Sequence, residues 1–330
     1  MCSTETIYVL GCAAIGFPLA AYLAHAGRRV VAVRTSRQDV PQGTVTVTVH
    51  NGANRLSTPV ETISLSKLTR LAGTIAITTK SYANQAIARE LKDKAATAPI
   101  VILQNGVGVE KPFLDAQFSS LYRCVLYVTN QATSASDFIC RPVTASPIGL
   151  VNGTPAGLER CVEALTTDGF PFRSEANIER EVWKKAIINC VFNSLCPLLD
   201  VDNGVFVRDE ATAKLAREVV RECIMLTDRL KMGLSESELM EQIMRISQGS
   251  DGQLISTLQD IRMGRQTEIE FLNLEIARVA ASLQPSVPLP RVEFLGKMIV
   301  AKPLQQRRKE WPVFILLCAL RRPRAVYRTC

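Results

Sequence analysis

The sequence predicts an α/β protein with a parallel-stranded N-terminal domain followed by an all-helical C-terminal domain. Short apolar runs separated by loops fill the first half, which is typical of strands buried on both faces of a parallel sheet. The second half changes character, and from Ile178 onward it predicts long helices at 178–196, 209–231, 235–247, 266–283 and 291–302. The predicted domains are residues 1–175 and 176–303, joined near Ser174, and residues 304–330 are predicted to be a basic, loosely ordered extension.

The first 34 residues predict a strand–turn–helix–strand unit. An apolar run at 7–10 ends at Gly11, a helix over 17–26 ends at Gly27, and a second strand follows at 29–33. Further buried strands are predicted at 74–79, 99–103, 122–129 and 146–151, with a helix at 84–93. Strands that alternate with helices in this way indicate a parallel sheet with helices packed on its faces.

Composition limits the protein class. With 330 residues, of which 47 % are hydrophobic, the chain can bury a large core. Its ten cysteines include no CxxC pair and it has only two histidines, so the spacing of a zinc site is missing. We find neither a secretory signal nor an apolar run of the ~20 residues that span a bilayer. We therefore expect reduced thiols in a cytoplasmic protein.

The net charge of +8 is concentrated at the C-terminus. Residues 304–330 carry seven arginines and lysines against one glutamate, which leaves a net +2 in the remainder. Electrostatic binding of DNA or RNA needs a basic face on the folded body. The sequence therefore predicts neither nucleic acid nor a membrane as a partner.

A glycine-containing loop lies between the first predicted strand and helix, and it reads Gly11-Cys12-Ala13-Ala14-Ile15-Gly16. In a dinucleotide fingerprint the first glycine allows a tight turn and the last allows close packing of helix and strand. Ala13 takes the middle position, where glycine normally lets the backbone approach a pyrophosphate. Because the helix N-terminus still offers amide donors, we predict a Rossmann-like dinucleotide-binding domain.

The end of the second strand bears on the choice of cofactor. Sites for NAD place an acidic residue there to bind the ribose hydroxyls, whereas a 2′-phosphate calls for arginine. This chain has Arg34 and Arg37, and its first acidic residue after the strand is Asp39. The pattern favours NADP(H), and the alternative is that both arginines are ordinary surface charges.

Two more loops follow predicted strands at the edge where open α/β sheets bind ligands. One contains Lys80, and the other contains Asn105 followed by Gly106 and Gly108, whose small size permits close approach to a ligand. Either loop could instead be an ordinary turn.

A narrow polar stripe marks the first helix of the second half. Lys185, Asn189 and Asn193 recur at a spacing of four, so they lie almost above one another among apolar neighbours. Unpaired buried amides cost on the order of 1–3 kcal/mol each, which favours a stripe that faces a polar cleft. The alternative is that neighbouring backbone groups satisfy all three side chains.

Together these motifs resemble the ketopantoate reductase (2-dehydropantoate 2-reductase) family over about residues 7–300. The last matching element has the pattern Ser-x3-Asp-x3-Gly-Arg-x-Thr-Glu-Ile and covers 256–269. The resemblance implies NADPH-dependent reduction of a 2-oxo acid, 2-dehydropantoate, to (R)-pantoate on the route to pantothenate and coenzyme A.

The resemblance also implies roles for individual residues. Lys185 would be the general acid, and Glu268 would be a carboxylate beside it that contacts substrate and cofactor. The other implied substrate-binding residues are Asn105, Asn189, Asn193 and Ser256. The implied cofactor-binding residues are Asn105, Lys80, Arg34 and the loop from Gly11 to Gly16. Ser256 and Glu268 would be about 18 Å apart on one straight helix, so we expect the chain to bend, at Gly264.

Two other functions remain open from the sequence. A reductase of another 2-oxo or 3-oxo acid would keep the chemistry and change the substrate. A protein that senses NADP(H) without turnover would need the cofactor loop but have little use for the lysine, the two amides, the serine and the glutamate. The expected partner is a small-molecule substrate, and a homodimer is a possible assembly.

Overall fold

A computed structural model describes residues 5–35, 42–95 and 97–302. The chain divides into two compact units. The first unit comprises Met1–Ala186 and Thr227–Leu234, and the second comprises Ile187–Leu226 and Ser235–Cys330. The predicted domain boundaries at residues 175 and 303 stay predictions. The predicted extension 304–330, together with Arg37 and Asp39, lies outside the described residues.

The first unit is built on one eleven-stranded sheet in the order β11-β10-β7-β6-β5-β1-β2-β4-β3-β9-β8. Its strands are β1 (Ile7–Leu10), β2 (Val30–Arg34), β3 (Gly43–Asn51), β4 (Asn54–Ser64), β5 (Ile75–Ile77), β6 (Ile100–Ile102), β7 (Leu121–Cys124), β8 (Val128–Ala132), β9 (Asp137–Pro142), β10 (Ser146–Asn152) and β11 (Phe172–Ser174). The five strands from β7 to β2 in that order run parallel to one another. This parallel core confirms the predicted fold class.

Helices connect and cover the strands of this unit. They are α1 (Gly16–His25), α2 (Asn84–Lys94), α3 (Lys111–Asp115) and α4 (Pro155–Leu165), with 3₁₀ turns at Leu65–Lys67 and Ser81–Ala83. Buried apolar side chains of α1, such as Phe17 and Leu19, join the same core as Val9 of β1 and Val60 of β4. The predicted β1–α1–β2 unit is confirmed.

Helix α5 (Ile178–Leu199) begins in the first unit and continues into the second. The remaining helices are α6 (Val205–Arg208), α7 (Glu210–Arg229), α8 (Glu236–Gly249), α9 (Ser256–Arg262), α10 (Asn273–Ser282) and α11 (290–302), with a 3₁₀ turn at Ile269–Phe271. Within the second unit, Phe192 of α5 packs edge-on against Phe206 of α6 at 4.7 Å between ring centroids.

Two predicted elements are wrong in detail. The predicted helix 266–283 is instead a 3₁₀ turn followed by α10, because Leu272, with φ −114° and ψ −107°, lies outside the helical region. The predicted strand 122–129 is two strands at different places in the sheet, β7 and β8. Between them the chain leaves the sheet over Val125 to Tyr127.

No helix in the described ranges combines the length and apolar character that a bilayer span requires. The seven cysteines described are all free thiols, and six of them are buried.

Candidate functional site

Four of the predicted site residues lie at one edge of the sheet. Parallel strands end at the same edge, and Arg34 ends β2, Gly11 follows β1, Lys80 follows β5 and Asn105 follows β6. Strand β1 is the centre of this edge. Strand β2, which follows β1 in the chain, lies on one side of it, and the later strand β5 lies on the other side, so the strand order reverses direction at β1. In an open α/β sheet such a switch point is where ligands bind.

The β1–α1 loop makes the tight turn that its glycines predict. Gly11 has φ +114°, a conformation that favours glycine, and its N–H donates to the Val33 carbonyl at 2.9 Å. A Cβ on Gly16 would stand 1.7 Å from the Gly11 carbonyl oxygen. Ala13 is exposed and its carbonyl accepts a hydrogen bond from the Phe17 N–H. Its methyl group therefore lies at the accessible surface of the loop.

The remaining loop residues lead into a helix N-terminus that has no side-chain cap. Cys12, Ala14 and Ile15 are half-buried, and α1 has neither a side-chain cap nor an acidic residue in its first turn. Burial raises the pKa of the Cys12 thiol to about 11, despite the opposing effect of Arg34. The thiol is thus neutral at physiological pH, and the electrostatics here are those of the helix dipole and Arg34.

Arg34 lies half-buried at the end of β2. Its guanidinium carbon is 5.7 Å from the centroid of the Phe17 ring, within the range of a cation–π contact. Its Nε is buried and has no hydrogen-bond acceptor. A buried donor of this kind is satisfied when an acceptor such as a phosphate oxygen binds beside it.

A reciprocal amide pair ties the loops after β5 and β6 together. Asn84 donates to Gln104 Oε1 at 2.8 Å, and Gln104 Nε2 donates back to Asn84 Oδ1 at 2.7 Å. Gln104 Nε2 also donates to the Thr79 carbonyl at 2.9 Å, and Ser81 Oγ donates to the Asn105 carbonyl at 3.2 Å. The half-buried Lys80 lies between Thr79 and Ser81 in this connected pair of loops.

A buried arginine also holds the loop after β6 in place. Arg123 on β7 is 3 % exposed, and its guanidinium donates to the carbonyls of Ile102, Cys124 and Gly106. Gly106 has φ +109°, so glycine is required where the loop turns back toward Arg123. Asn105 therefore stands on a loop that is held by hydrogen bonds on both sides.

Lys185 lies on α5 against the segment that leaves the sheet after β7. Its ammonium donates to the Leu126 carbonyl and lies 5.9 Å from the centroid of the Tyr127 ring. The Tyr127 hydroxyl in turn donates to Glu181, one turn earlier on α5, at 2.7 Å. These contacts fix the lysine head at the carboxyl end of β7.

Desolvation lowers the pKa of Lys185 to about 8, because burial penalises the charged ammonium. The positive charge of Arg123 acts in the same direction, and Cys124 opposes it. At pH 7 the side chain still carries its proton, but it releases that proton far more readily than an ordinary lysine.

A small cavity connects these groups within the first unit. Its polar lining comes from Gln104, Asn105, Arg123 and Lys185, and the remaining walls come from Gly106, the segment after Arg123 and α5. The structure therefore brings together two residues that the sequence analysis singled out separately, Lys185 and Asn105.

In the second unit, the structure brings Asn193 and Ser256 together. Asn193 is 3 % exposed, and its Oδ1 accepts from Ser256 Oγ and from the Thr257 N–H, both at 3.4 Å. Ser256 is exposed at the start of α9, and Asn189 is half-buried one turn before Asn193. Asn193 thus accepts a hydrogen bond from a backbone N–H at the start of α9, and this contact satisfies its buried amide oxygen.

The expected bend after Ser256 is confirmed. Helix α9 ends at Arg262, and Gly264 takes a left-handed conformation with φ +65°. The turn is closed by Arg265, which donates to Asp260 Oδ1 at 2.8 Å. Glu268 follows, half-buried, immediately before the 3₁₀ turn. Its predicted place beside Lys185 stays a prediction.

Sequence reasoning missed three residues that shape this edge. In the sequence, Asn84 is marked only as a polar residue on the inner side of a helix, and Gln104 only as a polar residue at a strand end. Arg123 lies within an apolar strand, LYRC, where a single arginine breaks the pattern. A charged residue in a strand predicted to be buried on both faces is the signal that could have identified it.

Two family models match this chain. The model described as ketopantoate reductase PanE/ApbA matches residues 7–139, and the model of the C-terminal part of the same family matches residues 177–302. The 2-dehydropantoate 2-reductase of Pyrococcus horikoshii is 26 % identical over 298 residues, which cover 86 % of this chain and 93 % of the relative.

Solved structures share the fold. A PanE/ApbA family ketopantoate reductase from Ralstonia eutropha superposes with a TM-score of 0.79 at 23 % identity, covering 92 % of this chain and 99 % of its own. A D-mandelate dehydrogenase bound to NADH and anilino(oxo)acetate gives a TM-score of 0.80 at 19 % identity, covering 91 % and 98 %.

Proposed function

Because this chain belongs to the ketopantoate reductase family, we propose that it reduces 2-dehydropantoate to (R)-pantoate with NADPH. The observation that carries the proposal is the shared cavity of Lys185 and Asn105, at the carboxyl ends of β6 and β7. A cytoplasmic location and a homodimer stay predictions from the sequence.

Lys185 supplies the acid that the reduction of a carbonyl needs. As the carbonyl carbon is reduced, negative charge grows on its oxygen, and a nearby ammonium stabilises that charge and donates a proton. A general acid works best when its pKa lies near the working pH. The pKa of about 8 supports this role, because Lys185 is protonated at pH 7 yet gives up its proton readily.

The residues at the β1 and β2 ends fit a phosphorylated dinucleotide. The turn from Gly11 to Gly16 admits no Cβ at its last position, and the start of α1 has no side-chain cap. Arg34 has a buried Nε without an acceptor, which suits a 2′-phosphate. NADPH, when bound, supplies the hydride. Lys80 and Asn105 would contact it from the two linked loops.

The substrate's hydroxyl and carboxylate are assigned to the second unit by the family resemblance. Asn189, Asn193 and Ser256 are the proposed partners, and the contact between Asn193 and Ser256 supports their acting as one group. Glu268 is proposed to contact the substrate and to help keep Lys185 charged.

A second candidate differs only in the substrate. The similarity to D-mandelate dehydrogenase, at a TM-score of 0.80, favours a reductase of another 2-oxo acid. Both candidates use the same lysine and the same sheet edge, so the geometry of the site favours neither substrate. Membership of the family favours 2-dehydropantoate.

Oxidation of NADPH by the purified protein tests the proposal. We expect rapid loss of nicotinamide absorbance with 2-dehydropantoate and slow loss with benzoylformate, the 2-oxo acid that corresponds to mandelate. The reverse order would support the second candidate. Tight binding of NADPH without turnover of these two acids or of any other 2-oxo acid tested would reject both candidates and leave a cofactor sensor.

A further inference from the structure

The cavity at the proposed site is lined by a second cationic side chain, Arg123, besides Lys185. Charged side chains are almost never fully buried unless they are paired, and Arg123 is 3 % exposed. Its partner is Glu110, whose Oε2 lies 3.6 Å from Arg123 Nε. Family resemblance and the proposed mechanism assign neither residue a role.

The guanidinium of Arg123 joins three segments of the sheet edge. It donates to Ile102 of β6 and to Cys124 of β7, both at 3.1 Å, and to Gly106, the residue after Asn105, at 2.9 Å. All three acceptors are neutral carbonyls, so these bonds position the guanidinium without cancelling its charge. Among the described residues the Glu110 carboxylate offsets this charge, and at 3.6 Å from Nε it does so through space rather than through a hydrogen bond.

The other titratable groups around Lys185 in this unit are neutral or already paired. Burial raises the pKa of the Cys124 thiol to about 12, and burial together with Glu181 raises the pKa of the Tyr127 phenol. On the helix of Lys185, Glu181 accepts from Tyr127 and lies 3.7 Å from the Lys184 ammonium. Arg123 is therefore a charged neighbour in this unit whose field lowers the pKa of Lys185, and Glu110 is the carboxylate paired with Arg123.

We propose that the Arg123–Glu110 ion pair is a positioning device of the reductase, which holds the Asn105 loop and sets how readily Lys185 releases its proton. This inference rests on the proposed function, because it takes Lys185 to be the general acid. Arg123 is a positioning residue and acts through Lys185 and Asn105.

The two partners have opposite effects on Lys185. A positive charge nearby disfavours the ammonium, so removing the charge of Arg123 lets Lys185 keep its proton to a higher pH. Removing the carboxylate of Glu110 leaves the Arg123 charge uncompensated, so Lys185 loses its proton at a lower pH. A purely structural role of the pair would not produce shifts of opposite sign.

The experiment is the pH profile of kcat/KM for 2-dehydropantoate reduction between about pH 6 and about 10. In the unmodified protein we expect activity to fall as the pH rises through about 8, since the deprotonated amine cannot act as an acid. In Glu110→Gln this limb should move down by about half a pH unit or more, and in Arg123→Met up by a similar amount. Arg123→Lys keeps the charge and should leave the limb nearly in place.

Two controls keep the test decisive. Arg123→Met removes the guanidinium that donates to three carbonyls and can fail to fold. Glu110 Oε2 accepts no hydrogen bond, so Glu110→Gln preserves the local bonding. Glu90→Gln removes the carboxylate of another ion pair in the same unit, Lys94–Glu90 at 2.9 Å, and should not move the limb.

The outcomes separate the inference from the proposed function. An alkaline limb that Glu110→Gln leaves in place, or moves up, overturns the inference while leaving the reductase intact. An unmodified protein that does not turn over any 2-oxo acid overturns both. Downward and upward shifts in the two variants, with Glu90→Gln unchanged, support the inference.

Discussion

Lys185 combines two properties that rarely occur in one side chain. Its ammonium is bound to a backbone carbonyl and an aromatic ring, and desolvation lowers its pKa to about 8. Burying a charge in this way reduces stability, because the folded state gives up the hydration of the ammonium. A protein that keeps such a lysine at a sheet edge gains an acid that works near neutral pH.

The first prediction concerns this side chain. Lys185→Ala should lower kcat by roughly 10²–10⁴-fold, as the loss of a general acid does. Stopped-flow turnover gives kcat, and fluorescence titration gives the affinity for NADPH, which should change little because the fold of the β1–α1 loop does not depend on Lys185. An unaltered kcat would remove Lys185 from the mechanism.

Arg34 carries a prediction about cofactor choice. Arg34→Ala should weaken NADPH by about 10- to 100-fold, the value of a charge-assisted hydrogen bond, and should hardly affect NADH. Calorimetric titration of both cofactors measures the two changes. Equal losses for NADPH and NADH would show that Arg34 does not distinguish the 2′-phosphate.

At the scale of elements, the strands and helices with the strongest periodicity were predictable. The β1–α1–β2 unit, β5 and β6 follow from apolar runs that end in glycine or polar residues. The hairpin of β3 and β4 was missed, although Thr44 to Val49 alternates in the manner of a half-exposed strand.

Other features depend on contacts that no short sequence window contains. The break at Leu272 occurs at a residue that is not a helix breaker, so the pattern over 266–283 predicted one continuous helix. The proposed role of Arg123 depends on carbonyls from three segments, and its partner Glu110 is thirteen residues away along the chain. The positions of Lys80 and Asn105 were predictable because the ends of parallel strands share one edge.

The turn between β1 and α1 provides a prediction at this scale. Gly16→Ala would place a Cβ 1.7 Å from the Gly11 carbonyl oxygen, so the loop must move. We expect NADPH affinity to fall at least about 10-fold and stability to fall by about 1–3 kcal/mol. Equilibrium binding and urea unfolding measure these changes. Gly43→Ala is the matched control, since a Cβ there meets nothing within 4 Å. Unchanged NADPH binding in Gly16→Ala would argue against a cofactor at this turn.

For the whole molecule, most of the net positive charge and the predicted site residues lie in different parts of the chain. The predicted site residues and both family matches lie before residue 303, whereas most of the net charge of +8 lies in 304–330. The proposed site therefore uses individual side chains before residue 303, rather than that charge, to bind a small anionic substrate.

Removal of residues 303–330 should leave kcat and KM within about 2-fold of the full-length values, because none of the proposed groups is lost. Far-UV circular dichroism checks that the shortened chain is folded before the kinetics are compared. A folded but inactive shortened chain would show that the extension contributes to turnover.

The reciprocal hydrogen bonds between Asn84 and Gln104 have a consequence for evolution. They tie the loop that carries Lys80 to the loop that carries Asn105. A substitution that reshapes one loop to admit a different acid will also shift the other, and with it the grip on the nicotinamide nucleotide. New substrate preferences in this lineage should therefore arise first through changes in the helical unit, at positions other than the proposed cofactor contact Glu268.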